Sequence, residues 1–131
     1  MHRWILITVV TGLILWPTSA TPASAVSCSQ IHGYKQEACS RVAEFLDALN
    51  TGRSQKACRM VTYRFLISRF GSLKGCLAFP GPNGLRVSYE IGRVKATKMK
   101  ADVWIRTGGP WAVWHLVRQG GIYLIADALP A

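Results

Sequence analysis

The sequence predicts an α+β domain in which leading helices cover one side of an antiparallel β-meander. Three observations predict it. Apolar residues recur at three- and four-residue spacing between positions 35 and 70. Beyond the turn cluster Phe79-Pro-Gly-Pro-Asn-Gly84 the spacing changes to two. Glycine pairs at 108–109 and 120–121 then separate the alternating runs, as hairpins require.

From Lys35 to Asn50 the stripe is Ala38, Val42, Phe45, Leu46 and Leu49, which gives a helix with one buried face; Asn50-Thr51-Gly52 ends it. Ser54 is read as the N-cap of a second helix carrying Cys58, Val61, Phe65 and Leu66. Met60, Ile67 and Phe70 widen that stripe, so its last turns form a separate short helix bounded by Gly71 and Gly75. In the first strand Val87, Tyr89 and Ile91 alternate with Arg86, Ser88 and Glu90. Gly92 marks a bulge, after which Val94 and Ala96 alternate with Arg93, Lys95 and Thr97. Met99, Ala101, Val103 and Ile105 alternate with Lys98, Lys100, Asp102, Trp104 and Arg106 in the second strand. The third runs from Trp111 to Arg118, with Val113, His115 and Val117 on one face and Ala112, Trp114 and Leu116 on the other. The fourth spans Ile122 to Asp127.

Composition limits the classes of function. The chain has 131 residues, half of them apolar, which suits one packed domain and excludes extensive disorder. Sixteen Lys and Arg against six Asp and Glu give a formal charge of +10. That excludes an acidic cation buffer and points to an anionic partner.

Residues 1–25 read as a secretory signal peptide: His2 and Arg3, the apolar run Trp4–Trp16, Pro17, then small residues ending in Ala23-Ser24-Ala25. The run is shorter than the ~20 residues that span a bilayer. Cleavage after Ala25 leaves a soluble domain over 26–131. Lipid attachment at Cys28 is the weaker alternative, because Ala25 occupies the position where lipoprotein signals carry Leu. Four cysteines in an exported chain suggest two disulfides. Of the three pairings, Cys28–Cys39 with Cys58–Cys76 is favoured because each bond ties a loop to a helix. No Cys-x-x-Cys pair is present, so no metal is expected, and the glycine pairs 108–109 and 120–121 sit in turns and do not precede helices, so no cofactor is expected either.

Three stretches carry a resemblance to a known family: Val42-Ala-Glu-Phe-Leu-Asp-Ala-Leu-Asn-Thr-Gly52, the Ala57-Cys58 and Gly75-Cys76 pair, and Trp114-His-Leu-Val-Arg-Gln-Gly-Gly-Ile-Tyr-Leu-Ile-Ala-Asp127. Across about residues 36–128 the chain resembles small secreted bacterial members of the NTF2-like superfamily, with Tyr123 standing where Trp is usual. The resemblance implies a curved sheet wrapped around helices as a cone with an apolar pocket. It also implies that enzymatic relatives place Asp, His or Tyr in that pocket. Fold alone does not fix function.

Candidates for such chemistry are few. Asp102 and Glu90 fall on the polar phase, and Asp127 closes a strand. His115 shares a face with Val113 and Val117, where a hydrogen-bonded core histidine is the commoner role than a general base. Tyr89 and Tyr123 line either a pocket or the core. No serine-nucleophile motif or phosphate-cradling loop occurs. On the outward phase, Arg93, Lys95, Lys98, Lys100 and Arg106 surround Trp104, a cationic and aromatic face suited to a polyanion. The same face also reads as a solvated surface that discourages edge pairing. Lys56, Arg59, Arg64 and Arg69 add charge on the second helix.

The reading is therefore an exported, non-catalytic binding or accessory module. One alternative is a small-molecule isomerase or hydrolase using His115 in a cone pocket with Tyr89 and Tyr123. Another is a cell-envelope polyanion binder using the basic sheet face. The partner is an anionic envelope component or a small apolar ligand; export argues against nucleic acid. Trp104, Trp111 and Trp114 offer a route to a homodimer through the sheet.

Overall fold

The computed structural model describes residues 26–131, and the leader read at 1–25 lies outside the described residues. The described chain is α+β. After a 3-10 turn at Cys28–Gln30 come helices α1 (Gly33–Asn50), α2 (Ser54–Cys58), α3 (Tyr63–Phe70) and α4 (Leu73–Leu77). Strands β1 (Glu90–Ala96), β2 (Lys100–Arg106), β3 (Ala112–Gln119) and β4 (Ile122–Pro130) follow. The strands form one antiparallel sheet in the order β1-β2-β3-β4.

All five residues of the expected α1 stripe are buried. They meet the inner face of the sheet, where Ile91, Val94, Ala101, Val103, Ile105, Leu116, Tyr123 and Ile125 point inward. Removing Val42, Phe45, Leu46 and Leu49 from water contributes roughly 2 kcal/mol per side chain. Trp114 also turns inward and meets the Phe45 ring edge-on, with centroids 5.6 Å apart. It is therefore part of the core and not of a dimer surface.

Gly92 is the extra residue of a bulge between Ile91 and Arg93, which lets both Ile91 and Val94 face the core. A second bulge has no counterpart in the periodicity. Ala126 is extra opposite the His115–Leu116 step, and β4 continues to Pro130, past the Asp127 end expected for it.

The second helix is broken where one was expected. Residues 59–62 leave the helical path because Met60 and Thr62 bond to the backbone of Ile125. Ile125 N donates to Met60 O at 2.9 Å, and Thr62 N donates to Ile125 O at 2.9 Å. This interrupts the free edge of β4 at Ile125. Thr62 then caps α3, its hydroxyl accepting from Phe65 N at 3.1 Å, and Ser72 caps α4 in the same way. Ser54 is the first residue of α2 and not its cap; its hydroxyl donates to Phe79 O at 2.6 Å. Gly75 lies inside α4.

The expected strand at 86–89 is absent because Asn50 captures the backbone of Val87. The amide Nδ2 donates to Val87 O at 2.8 Å, and Val87 N donates to Oδ1 at 2.9 Å. At the other end of the fold Arg118 stacks on Tyr123, 4.3 Å from the ring centroid. It donates to Lys98 O, Gly121 O and Glu37 Oε1 at 2.6, 2.7 and 2.8 Å. The hydrogen bond from Arg118 holds the Glu37 carboxyl below the usual carboxylate range.

The disulfides join Cys28 to Cys39 and Cys58 to Cys76, and no described cysteine is free. The Cys28 sulfur is thus bonded within the chain. The partner of Cys58 lies in α4, a helix, where a loop was expected. The first bond anchors the lead-in, whose Val26 N donates to Ile91 O on the free edge of β1 at 2.7 Å. No helix among the described residues is long and apolar enough to cross a membrane.

Gly84 has φ 76°, and a Cβ there would stand 2.0 Å from the backbone oxygen of Asn50. Gly33 has a similar φ of 69° with open space around it. G84A should lower the unfolding free energy by roughly 3 kcal/mol and G33A by about 1, measured in urea melts. Equal losses would show that the close approach to Asn50 contributes nothing.

Candidate functional site

Because the inner face takes the apolar residues, the outer face of the sheet receives the charged and aromatic ones. Register sorts them into rows across the strands. One row is Arg93, Trp104, Val113 and Leu129; the next is Lys95, Asp102, His115 and Asp127. Cation, carboxylate, imidazole and carboxylate thus follow one another across four strands, and Arg69 extends the series by donating to Asp127 Oδ1 at 3.3 Å and to Ala128 O at 2.6 Å.

Asp102 and His115 form the closest pair of the row, with Nδ1 2.5 Å from Oδ1. An ionised carboxylate can only accept, so Nδ1 carries the proton and Nε2 is left without a hydrogen-bond partner among the described residues. Both side chains are 39% exposed. They line a hollow of about 410 Å³ together with Lys95, Thr97, Lys100 and Val117. Lys95 and Lys100 make no ion pair among the described residues.

Beside this hollow, Arg93 lies over the Trp104 ring at 4.9 Å, also without an acidic partner. Lys98 sits at the turn between β1 and β2. Four of the five expected anion-binding residues therefore present unpaired cations. Arg106 departs from that expectation. Its guanidinium grips Glu90 Oε1 through Nε at 2.8 Å and Nη2 at 2.5 Å, and lies 4.5 Å over Trp111. That charge is spent on holding the start of β1.

The expected pocket of His115, Tyr89 and Tyr123 does not form, because the three occupy different environments. His115 is on the outer face. Tyr123 is buried in the core, with its hydroxyl donating to Thr97 O. Tyr89 ties the loop before β1 to the end of α1, donating to Asp47 Oδ1 at 3.0 Å. The space between α1 and the sheet is filled by Val42, Val103, Ile105, Leu116, Tyr123 and Ile125, all nearly inaccessible.

Chemically, the outer hollow can hold an anion beside the Asp102–His115 pair. Its lining includes no serine or free thiol, and the Thr97 hydroxyl is tied to the Lys100 backbone at 3.3 Å. Among the described residues no three His, Cys, Asp or Glu side chains gather as a metal site. Neither a family model nor a curated protein matches the chain.

The Asp102–His115 pair was not anticipated, although a signal for it existed. Counting outward from Gly108–Gly109 sets Asp102, on the polar phase of β2, directly opposite His115. Arg118, which ties two turns to α1, had no sequence signal.

Burial, and then the bond to Asp47, raise the Tyr89 hydroxyl from 10.0 to about 12. The unfolded chain loses this proton first, so the stability supplied by the tie is fully present below pH 10 and is lost as pH rises toward 12. Tyrosine absorbance titration should show one late step that Y89F removes; a late step that survives in Y89F would assign it elsewhere.

Proposed function

We propose that the protein is an exported, non-catalytic binding module of NTF2-like type that holds an anionic envelope polymer against the outer face of its sheet. The observation that carries this reading is the convergence of Lys95 and Lys100 on one hollow, beside Arg93 stacked on Trp104, with none of the three paired to an acid. A concave, partly aromatic and cationic surface suits an extended anion better than a compact one. Asp102, hydrogen-bonded to His115 at 2.5 Å, is outnumbered in the hollow by Lys95 and Lys100.

Export is supported by the leader-like sequence at 1–25 and by the two disulfides. The NTF2-like assignment is supported by a long first helix lying across a four-stranded meander with two bulges. The filled interior favours the outer face over a cone pocket and a small apolar ligand. A second copy of the chain is a poorer occupant of that face. A two-fold interface would set Arg93, Lys95 and Lys100 against their own images.

Heparin, a soluble polyanion, is the probe. With each exposed cation contributing about 0.5 kcal/mol, K95Q/K98Q/K100Q should weaken binding roughly tenfold. Retention should also fall steeply as salt rises. Wild-type retention by the triple variant, or retention indifferent to salt, would remove the sheet face from consideration.

A further inference from the structure

A second surface lies on the helical side of the molecule. Residues 48–89 contain seven Lys and Arg and no Asp or Glu. This stretch builds α2, α3, α4 and the loop that leads to β1. It forms one body: Cys58–Cys76 joins α2 to α4, Ser54 bonds to Phe79 O at 2.6 Å, and the Phe70 and Phe79 rings pack 5.6 Å apart.

Two kinds of side chain share its exterior. Arg53, Lys56 and Arg59 line a hollow of about 700 Å³ together with Leu77 and Pro82. None of the three cations makes an ion pair among the described residues; Arg53 Nε only donates to Thr51 Oγ1 at 3.2 Å. On α4 and just beyond it Leu73 is 56% exposed, Leu77 43% and Phe79 40%. These apolar groups are held outward on short, disulfide-braced helices and do not belong to the core.

Cations alone would describe a solvated face, and apolar groups alone a protein contact. A charged saccharide or nucleic acid would use the cations but leave Leu73, Leu77 and Phe79 in water. A bilayer surface satisfies both sets, because it offers phosphate headgroups next to an acyl boundary. The absence of any acid over the whole stretch makes the charge complementarity one-sided. We infer that this lobe docks on an anionic lipid bilayer, with headgroup phosphates held by Arg53, Lys56 and Arg59 while Leu73, Leu77 and Phe79 enter the interface. The surface is separate from the sheet face, so the two can act independently.

The test is flotation of the disulfide-bonded protein with phosphatidylcholine vesicles, with and without phosphatidylglycerol. Wild type should float only with the anionic vesicles. R53Q/K56Q/R59Q should weaken partitioning about a hundredfold, at roughly two-thirds of a decade per cation near the surface. L73S/L77S should weaken it at least about tenfold at the same salt. K95Q/K98Q/K100Q should float as wild type does. If the triple lobe variant loses its folded circular dichroism spectrum, K56E alone serves in its place. Wild-type flotation of either lobe variant overturns the inference, as does a loss confined to the sheet variant. Displacement by inorganic phosphate at matched ionic strength also overturns it, since that would mark a site for soluble anions.

Discussion

The sheet has one apolar face, and the rest of the structure follows from covering it. Strand residues alternate sides, so each apolar residue sent inward sends a neighbour outward. The α1 stripe of Val42, Phe45, Leu46 and Leu49 closes the inner face. The neighbours of Val103, Ile105 and Leu116 are Asp102, Trp104, Arg106 and His115, and these become the outer surface. The candidate site is thus a direct product of the packing that stabilises the domain. Two bulges refine the arrangement. Gly92 keeps Ile91 and Val94 on the same side, and Ala126 places Asp127 opposite His115.

Much of this was legible in the sequence because it follows from periodicity and turn chemistry. The α1 stripe, the change to alternation after Gly84, the bulge at Gly92 and the two glycine hairpins need only local information. The favoured cysteine pairing is also the one observed. Other features depend on partners far along the chain. The helix breaks after Cys58 because the backbone of Met60 and Thr62 is taken by Ile125. Val87 stays out of the sheet because an Asn50 side chain replaces a neighbouring strand. No pattern within a short window encodes either substitution.

The candidate site divides in the same way. Arg93, Lys95, Lys98 and Lys100 were identified by phase alone and do face outward as unpaired cations. Phase could not show that Glu90 engages Arg106, because that pairing depends on where the bulge falls. Nor could it separate His115 from Tyr123 as pocket residues. Both lie among apolar neighbours in sequence, yet one points outward and the other inward.

Val26 gives the amino-terminal lead-in a role beyond that of a tether. Its single bond to Ile91 interrupts one margin of the sheet, as the bonds of Met60 and Thr62 to Ile125 interrupt the other. Lys95 adds a charge farther along β1, so both margins are interrupted as templates for strand addition. Interruptions of this kind oppose fibrillar growth. That protection is coupled to oxidation, since the Cys28–Cys39 bond holds the segment carrying Val26 in place. A reducing environment would unmask a β-edge as well as loosen the fold.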